Sequence, residues 1–409
     1  MSALSSTQVL RPGPKGLKRW FMARAMAALP FVFRVLRWLK PIPRFGKTYV
    51  ATRYDDVCEV FGTDPAFGVL YKEKLDVIMG GEPFFLGMAD TPQYQADTAA
   101  LRKAVKREDL PRLAADVEAR AEAIVAAADG RIEVVDTLVR RVTFDFLAEY
   151  LGVPEPPNGA LTVWGTRLFE FQFVASDAPL RAEVEVIAPA LRDHIQQQIE
   201  RRRAKPGDHD VLGRCLTLQK AGEPGFSDAQ IRTALMGLIV GGPPQPPMVV
   251  PQAMEQLLRR PEALRGAQAA ARAGDDALLA GYVREAMRFD PLAPGLPRIA
   301  LQDWTIARGT KRQRVIPAGS TVIAAFASAM RDGRRVADPE RFDPRRLPHD
   351  FIHFGHGLHQ CFGIHINNAT LHLMLKPLLR RDNLRRAPGA AGKLSKNGAF
   401  AESLTLLFD

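Results

Sequence analysis

Apolar positions along this chain recur mostly at helical spacing, and short alternating runs appear only near residue 50 and in the C-terminal third. Helical patterns run roughly over 92–107, 110–127, 133–152, 159–173 and 177–203. Ser227 with Gln230 makes a capping box at the head of a long apolar helix, and Asp275-Asp276 opens another near 276–288. Tyr49-Val50-Ala51-Thr52 predicts a short strand and Tyr54-Asp55-Asp56-Val57 the start of a helix. Residues 66–89, of mixed polarity and dotted with glycine, predict a loop-rich segment. Val315 to Ile323 predicts two short strands about a Pro/Gly turn, and Glu402 to Phe408 a final strand. The expectation is a mainly α fold with small β-sheets: one large domain over 48–409, preceded by an arm over 1–47.

Composition adds little to that picture until charge is mapped along the chain. With 46% hydrophobic and 25% charged residues among 409, the balance is that of an ordinary folded protein. Cys58, Cys215 and Cys361 form no spaced cluster, which argues against a disulfide scaffold or a structural zinc site and fits a reducing, cytoplasmic compartment. The net charge of +11 is concentrated in the arm, where Arg11, Lys15, Lys18, Arg19, Arg24, Arg34, Arg37, Lys40, Arg44 and Lys47 meet no acid. No nucleic-acid motif accompanies this charge, so nucleic acid is not an expected partner.

The arm also carries Trp20-Phe21-Met22-Ala23, Leu29-Pro30-Phe31-Val32-Phe33 and Trp38-Leu39. Charges interrupt these runs well short of the ~20 apolar residues that span a bilayer. No small-residue cleavage site marks a signal peptide. Two readings stay open: a helix pair packed on the body, or a peripheral patch resting on acidic lipid.

The densest chemistry lies at Phe354-Gly355-His356-Gly357-Leu358-His359-Gln360-Cys361-Phe362-Gly363. A lone cysteine framed by glycines suits a thiolate that binds haem iron from a tight loop, since glycine lets the backbone approach a flat macrocycle. The segment resembles the haem-binding signature of the cytochrome P450 family. That resemblance implies haem b with Cys361 as the axial ligand and His359 on a propionate. Phe354 would shield the sulfur, with Gly355 and Gly363 shaping the loop.

Three further landmarks fall in the family's order. Glu285-Ala286-Met287-Arg288 puts an acid and a base on one helix face, where they can form a bidentate pair. The resemblance implies a third, structural member from Phe342-Asp343-Pro344-Arg345-Arg346, for which Arg345 is the choice. Arg298 corresponds to an arginine that binds a propionate from a strand. Tyr94, after Asp90-Thr91-Pro92-Gln93, stands where the family usually has a histidine, and Arg102 would bring the accompanying charge at a somewhat stretched spacing.

The departure comes in the long apolar helix, Leu238-Ile239-Val240-Gly241-Gly242, followed by Pro243-Pro244-Gln245-Pro246-Pro247. Family members that activate dioxygen usually follow the glycines with an acid and an alcohol that deliver protons. Aligned on Gly241 and Gly242, Pro244 takes the acid position and Gln245 the alcohol position. Neither is a proton acid near neutral pH. Each interior proline costs roughly 3 kcal/mol in an ordinary helix, so a break or strong kink is expected here. Gln245 could orient a peroxide oxygen or cap a freed carbonyl.

Enzymes of this type that consume hydroperoxides need neither a reductase nor that relay. The resemblance therefore favours peroxide or lipid hydroperoxide chemistry on a hydrophobic, fatty-acid-derived substrate. A ferredoxin-dependent monooxygenase, fed by ferredoxin and its reductase, is the alternative; a non-enzymatic haem or ligand-binding protein is a third. A cluster of arginines, Arg345, Arg346, Arg380, Arg381, Arg385 and Arg386, would suit an acidic redox partner and speaks for the monooxygenase. By family position the apolar pocket would be lined by Phe84, Phe85, Leu86, Leu238, Ile239, Leu292 and Phe400. A monomer is expected.

Overall fold

A computed structural model describes residues 4–14, 16–175, 177–205 and 207–409. Lys15 of the basic arm lies outside these. The chain partitions into two compact units. One unit comprises Tyr71–Pro251 and His365–Asp409 with the described residues up to Pro12; the other comprises Gly13–Leu70 and Gln252–Ile364.

The first unit is a helical body. Its helices include Pro92–Ala104, Leu110–Ala126, Arg141–Leu151, Leu161–Phe173, Ala178–Arg202, Val211–Lys220, Asp228–Gly241 and the bulk of Ile364–Arg380. Start signals behave as their chemistry dictates. Thr91 Oγ1 accepts from the Tyr94 N–H at 3.1 Å, and Ser227 with Gln230 forms the reciprocal capping box. The expected helix over 133–152 is divided: Val134–Arg140 winds as a π-helix before Arg141–Leu151 resumes α geometry.

Ser6 donates to Asp136 from both its backbone N–H and its hydroxyl, at 2.5 and 2.7 Å. The segment around it is thereby fixed into this unit. A partly buried ion pair ties the helices together: Arg214 donates to both Asp109 carboxylate oxygens at 2.6 and 3.0 Å, and the Tyr150 hydroxyl donates to the same carboxylate at 3.0 Å. Burial alone would push the Asp109 carboxyl up. The hydrogen bonds from Arg214 and Tyr150 outweigh it and hold the group below its ordinary range.

The second unit is built on a five-stranded sheet in the order Arg44–Phe45, Thr48–Ala51, Thr321–Ala324, Leu296–Ala300 and Phe67–Val69. Its inner face packs Tyr49, Phe61, Phe67, Val322 and Phe326 into one apolar cluster. Part of the stretch expected as loop, 66–89, is ordered: Phe67–Val69 pairs with Leu296–Ala300 and Lys72–Met79 is helical. Tertiary pairing overrode its mixed polarity. The C-terminal strand also divides, into Phe400–Ser403 and Thr405–Leu407 of two separate sheets in the first unit.

Candidate functional site: a cysteine loop and a broken helix

In the second unit, the cysteine loop is a closed turn. The Cys361 N–H donates to Phe354 O at 2.9 Å, Gln360 N–H to Gly357 O at 3.1 Å, and Gly355 N–H to Ile352 O at 3.0 Å. Gly355 and Gly357 have φ of +80° and +72°, where a side chain is strained. At Gly357 the glycine is needed twice over, because a Cβ there would lie 2.5 Å from Phe61 O. The loop is thus pressed onto the helix Tyr54–Gly62 by backbone contact. Half-buried Cys361 and His359 follow from this turn.

His353, which the sequence reading passed over, packs its ring edge-on against Phe354 with centroids 4.6 Å apart. Both its ring nitrogens are buried without a hydrogen-bond partner. Burial, with the Arg284 charge nearby as a lesser cause, pushes its pKa down to about 3. It is a neutral aromatic wedge at the base of the loop, and a histidine beside phenylalanines gave no spacing signal for that role.

The Glu285 pair forms as expected, but its third member does not. Arg288 is bidentate to Glu285, with Nε and Nη2 each 2.7 Å from a carboxylate oxygen, and both side chains are fully buried. Arg346, not Arg345, completes the triad, its Nε 3.0 Å from Glu285 Oε1. Arg345 is exposed because its backbone N–H is held by the Asp343 side chain at 2.9 Å, and this turn advances the inward position by one residue. Arg346 also donates to Ala337 O, Asp338 O and Arg341 O, so it pins the whole strap. The strap passes so near the helix Asp276–Phe289 that a Cβ on Gly281 would sit 2.1 Å from Pro344 O.

Arg298 lies on the sheet strand Leu296–Ala300, buried, with its guanidinium 4.9 Å from the centre of the Phe61 ring. Leu292, expected as a pocket wall, is half-buried ahead of that strand.

The described residues of the chain hold no group of three or more histidine, cysteine or acidic side chains able to ligate a bare metal ion. One thiol from a glycine-shaped loop, with a buried arginine in the same unit, instead suits an iron already held by a macrocycle that carries carboxylates. The residues fit haem b. Cys361 would ligate the iron, while Arg298 and His359 would bind propionates. Bound there, the haem would supply cleavage of an O–O bond assisted by electron donation from sulfur.

In the first unit, the apolar helix Asp228–Gly241 stops at Gly242, whose φ and ψ are −99° and −81°, and a new helix, Pro246–Leu258, begins four residues later. The four prolines divide between two jobs. Pro243 and Pro244 occupy the break, whereas Pro246 and Pro247 fill the first turn of the next helix, where no N–H is required. The cost is therefore well below that of four interior prolines.

Residues 243, 244, 246 and 247 have no N–H, so the carbonyls of Ile239, Val240, Gly242 and Pro243 lose their usual donor four residues on. Gln245 does double duty. Its backbone N–H turns to Gly242 O at 3.3 Å, and its side-chain amide donates to Gly241 O. Of the two roles considered for Gln245, the structure displays carbonyl capping.

One face of this helix stays open. Gln230, Ala234, Leu238, Gly241 and Gln245 are all partly exposed at helical spacing, and a Cβ built on Gly241 would meet nothing within 4 Å. Phe84 leans on the same helix; a Cβ on Gly237 would lie 2.1 Å from its ring. Phe85 is buried between Phe84 and Tyr94, with centroids 4.3 and 6.2 Å away, and Leu86 is half-buried.

Two expected walls belong to the core instead. Ile239 faces the helix Leu161–Phe173, where Gly165 lets it approach closely, because residue 239 falls one position off the open face. Phe400 is buried edge-on against Phe169 at 6.2 Å. Tyr94 is buried on the helix Pro92–Ala104, and Arg102 is exposed on that helix.

Comparison with known proteins identifies the family. The family model described as cytochrome P450 matches residues 172–402. The chain is 30% identical over 351 residues to the cytochrome P450 monooxygenase PikC of Streptomyces venezuelae, covering 83% of this chain and 79% of that protein. The ligand-free structure of cytochrome P450 TbtJ1 superposes with a TM-score of 0.78 at 25% identity, over 94% of this chain and 98% of the other. A shorter match is higher in identity. Over 121 residues the chain is 38% identical to a bifunctional dioxygenase (DOX)-epoxy alcohol synthase (EAS) of Pyricularia oryzae, 30% of this chain but 10% of that protein. With its cysteine loop, its buried Glu285–Arg288–Arg346 triad and more than half its length matched, this chain belongs to the cytochrome P450 family.

Proposed function

We propose that this cytochrome P450 isomerises or dehydrates a hydroperoxide on a hydrophobic, fatty-acid-derived chain. The observation that carries the reading is the break at residues 242–247. The positions that would supply an acid and an alcohol hold Pro244 and Gln245, and the Gln245 amide is occupied with Gly241 O. Nothing at these two positions titrates near neutral pH. A hydroperoxide already contains the O–O bond, and isomerisation keeps both oxygens in the product. It needs no external electrons and no net proton, while dehydration releases one water. The relative named as a dioxygenase-epoxy alcohol synthase supports the same reading.

In this scheme Cys361 holds the haem iron, and Arg298 and His359 are assigned to its propionates. Phe84, Leu86 and Leu238 give the substrate chain an apolar wall. Gly241 leaves room beside the broken helix, and Gln245 keeps the open face lined with satisfied backbone.

The test is anaerobic stopped-flow of the ferric protein with a panel of fatty-acid hydroperoxides, without reductase, with products identified by mass spectrometry. Rapid conversion to discrete epoxy alcohols, diols or dehydrated products is expected. Inert hydroperoxides, or slow bleaching alone, would sink the reading.

A second reading has its own support. The relative matched over most of the chain is named as a monooxygenase, which would make this a ferredoxin-fed hydroxylase of a lipophilic substrate. Product formation that requires dioxygen, ferredoxin and a reductase would establish it.

A further inference from the structure

The N-terminal helix Gly16–Leu39 carries an apolar face that the protein does not use. Phe33 and Arg37 turn inward, and Arg37 donates to Ser328 O and Oγ at 3.0 and 2.8 Å within the same unit. At 3.6 residues per turn, Leu17, Trp20, Phe21, Phe31, Trp38 and Leu39 fall within about 100° of the opposite side. Phe31 is 68% exposed and Trp38 75%. Nine of the sixteen large exposed apolar side chains among the described residues lie in this one helix, and all of them except Met22 and Met26 fall on this side, so the face is a patch and not scattered surface.

We infer that this helix docks flat on the surface of an anionic lipid bilayer. Charge selects that occupant. The sequence has no acid before Asp55, while Arg24 lies on the face and Lys18 flanks it. Arg24 lies 5.4 Å from the Trp20 ring, its charge within the apolar stripe, as a side chain reaching for a headgroup would. A second copy of the helix would set these cations against their own kind. An acidic headgroup layer over an acyl boundary complements both the charge and the rings. No helix among the described residues is long and apolar enough to cross a membrane, which leaves the in-plane geometry. The inference does not depend on which oxidative chemistry the haem performs.

The test uses the haem-loaded full chain in flotation with vesicles of phosphatidylcholine, and of phosphatidylcholine mixed with phosphatidylglycerol. Binding at least about tenfold tighter to the anionic vesicles is expected, weakening as salt rises. Phe31→Asp and Trp38→Asp should abolish it, and Lys18→Glu with Arg24→Glu should erase the anionic preference, all with the haem spectrum unchanged. Absence of binding would overturn the inference, as would equal binding to both vesicles. So would a concentration-dependent dimer that Phe31→Asp dissolves. Turnover of a dissolved hydroperoxide, followed in parallel, reads the catalytic proposal separately and should not change in these variants.

Discussion

Around Glu285 and around Gly241 the chain faces one problem, backbone carbonyls in need of donors, and answers it differently. At Glu285 the donors are charged and redundant: Arg288 reaches Met330 O at 2.9 Å and Arg346 reaches three strap carbonyls, all balanced by one buried carboxylate. At Gly241 the donor is a single neutral amide, and the other positions are prolines with nothing to donate. The first arrangement is a structural lock that follows the family pattern. The second removes every titratable group from the break and keeps only what the backbone needs. What differs is the purpose of the polar groups: fixing a fold in one place, staying chemically silent in the other.

Replacing Cys361, the proposed iron ligand, should have the largest effect. Cys361→Ala is expected to abolish the thiolate signature of the haem, read as loss of the long-wavelength reduced carbon-monoxide band. Glu285→Ala comes next. It strands two buried guanidinium groups, and a loss of about 3–5 kcal/mol in denaturant unfolding is expected, with poor haem retention. Arg345→Ala is the internal control and should be close to neutral, because Arg346 makes the contact.

Gly237→Ala should cost about 1–3 kcal/mol, since its methyl would displace Phe84. Retained stability with altered product distribution would show that the ring moves at little cost. Gln245→Leu leaves Gly241 O without its side-chain donor and should cost about 1–3 kcal/mol, measured by unfolding. Gln245→Glu is sharper still: an ionised carboxylate cannot donate, so its stability should recover as pH falls and the side chain protonates.

The smallest effect concerns acid. Asp109 is held below its ordinary range, so its contribution is present above that range and is lost as pH falls through the depressed value. Arg214→Met should move the onset of acid unfolding to higher pH, and an unchanged onset would show the pair to be idle.

Much of this was readable from the chain. The capping box at Ser227, the glycine-framed Cys361 and the Glu285–Arg288 spacing depend on local geometry, which sequence carries directly. Arg346 was missed because a single Asx turn at Asp343 decides which of two adjacent arginines faces inward. Ile239 and Phe400 were misplaced because an apolar residue fits a pocket wall and a core equally well, and only packing separates them. The role of Gln245 needed three dimensions, since capping and substrate contact call for the same amide.

The prolines at 243, 244, 246 and 247 have a mechanical consequence. Each ring fixes one backbone torsion, so the interruption is a stiff elbow with few accessible angles, also in the unfolded chain. A bend of this kind holds its shape whether or not a guest lies beside it. Any widening beside the break must then come from segments richer in rotatable bonds, such as the one around Phe84 and Leu86.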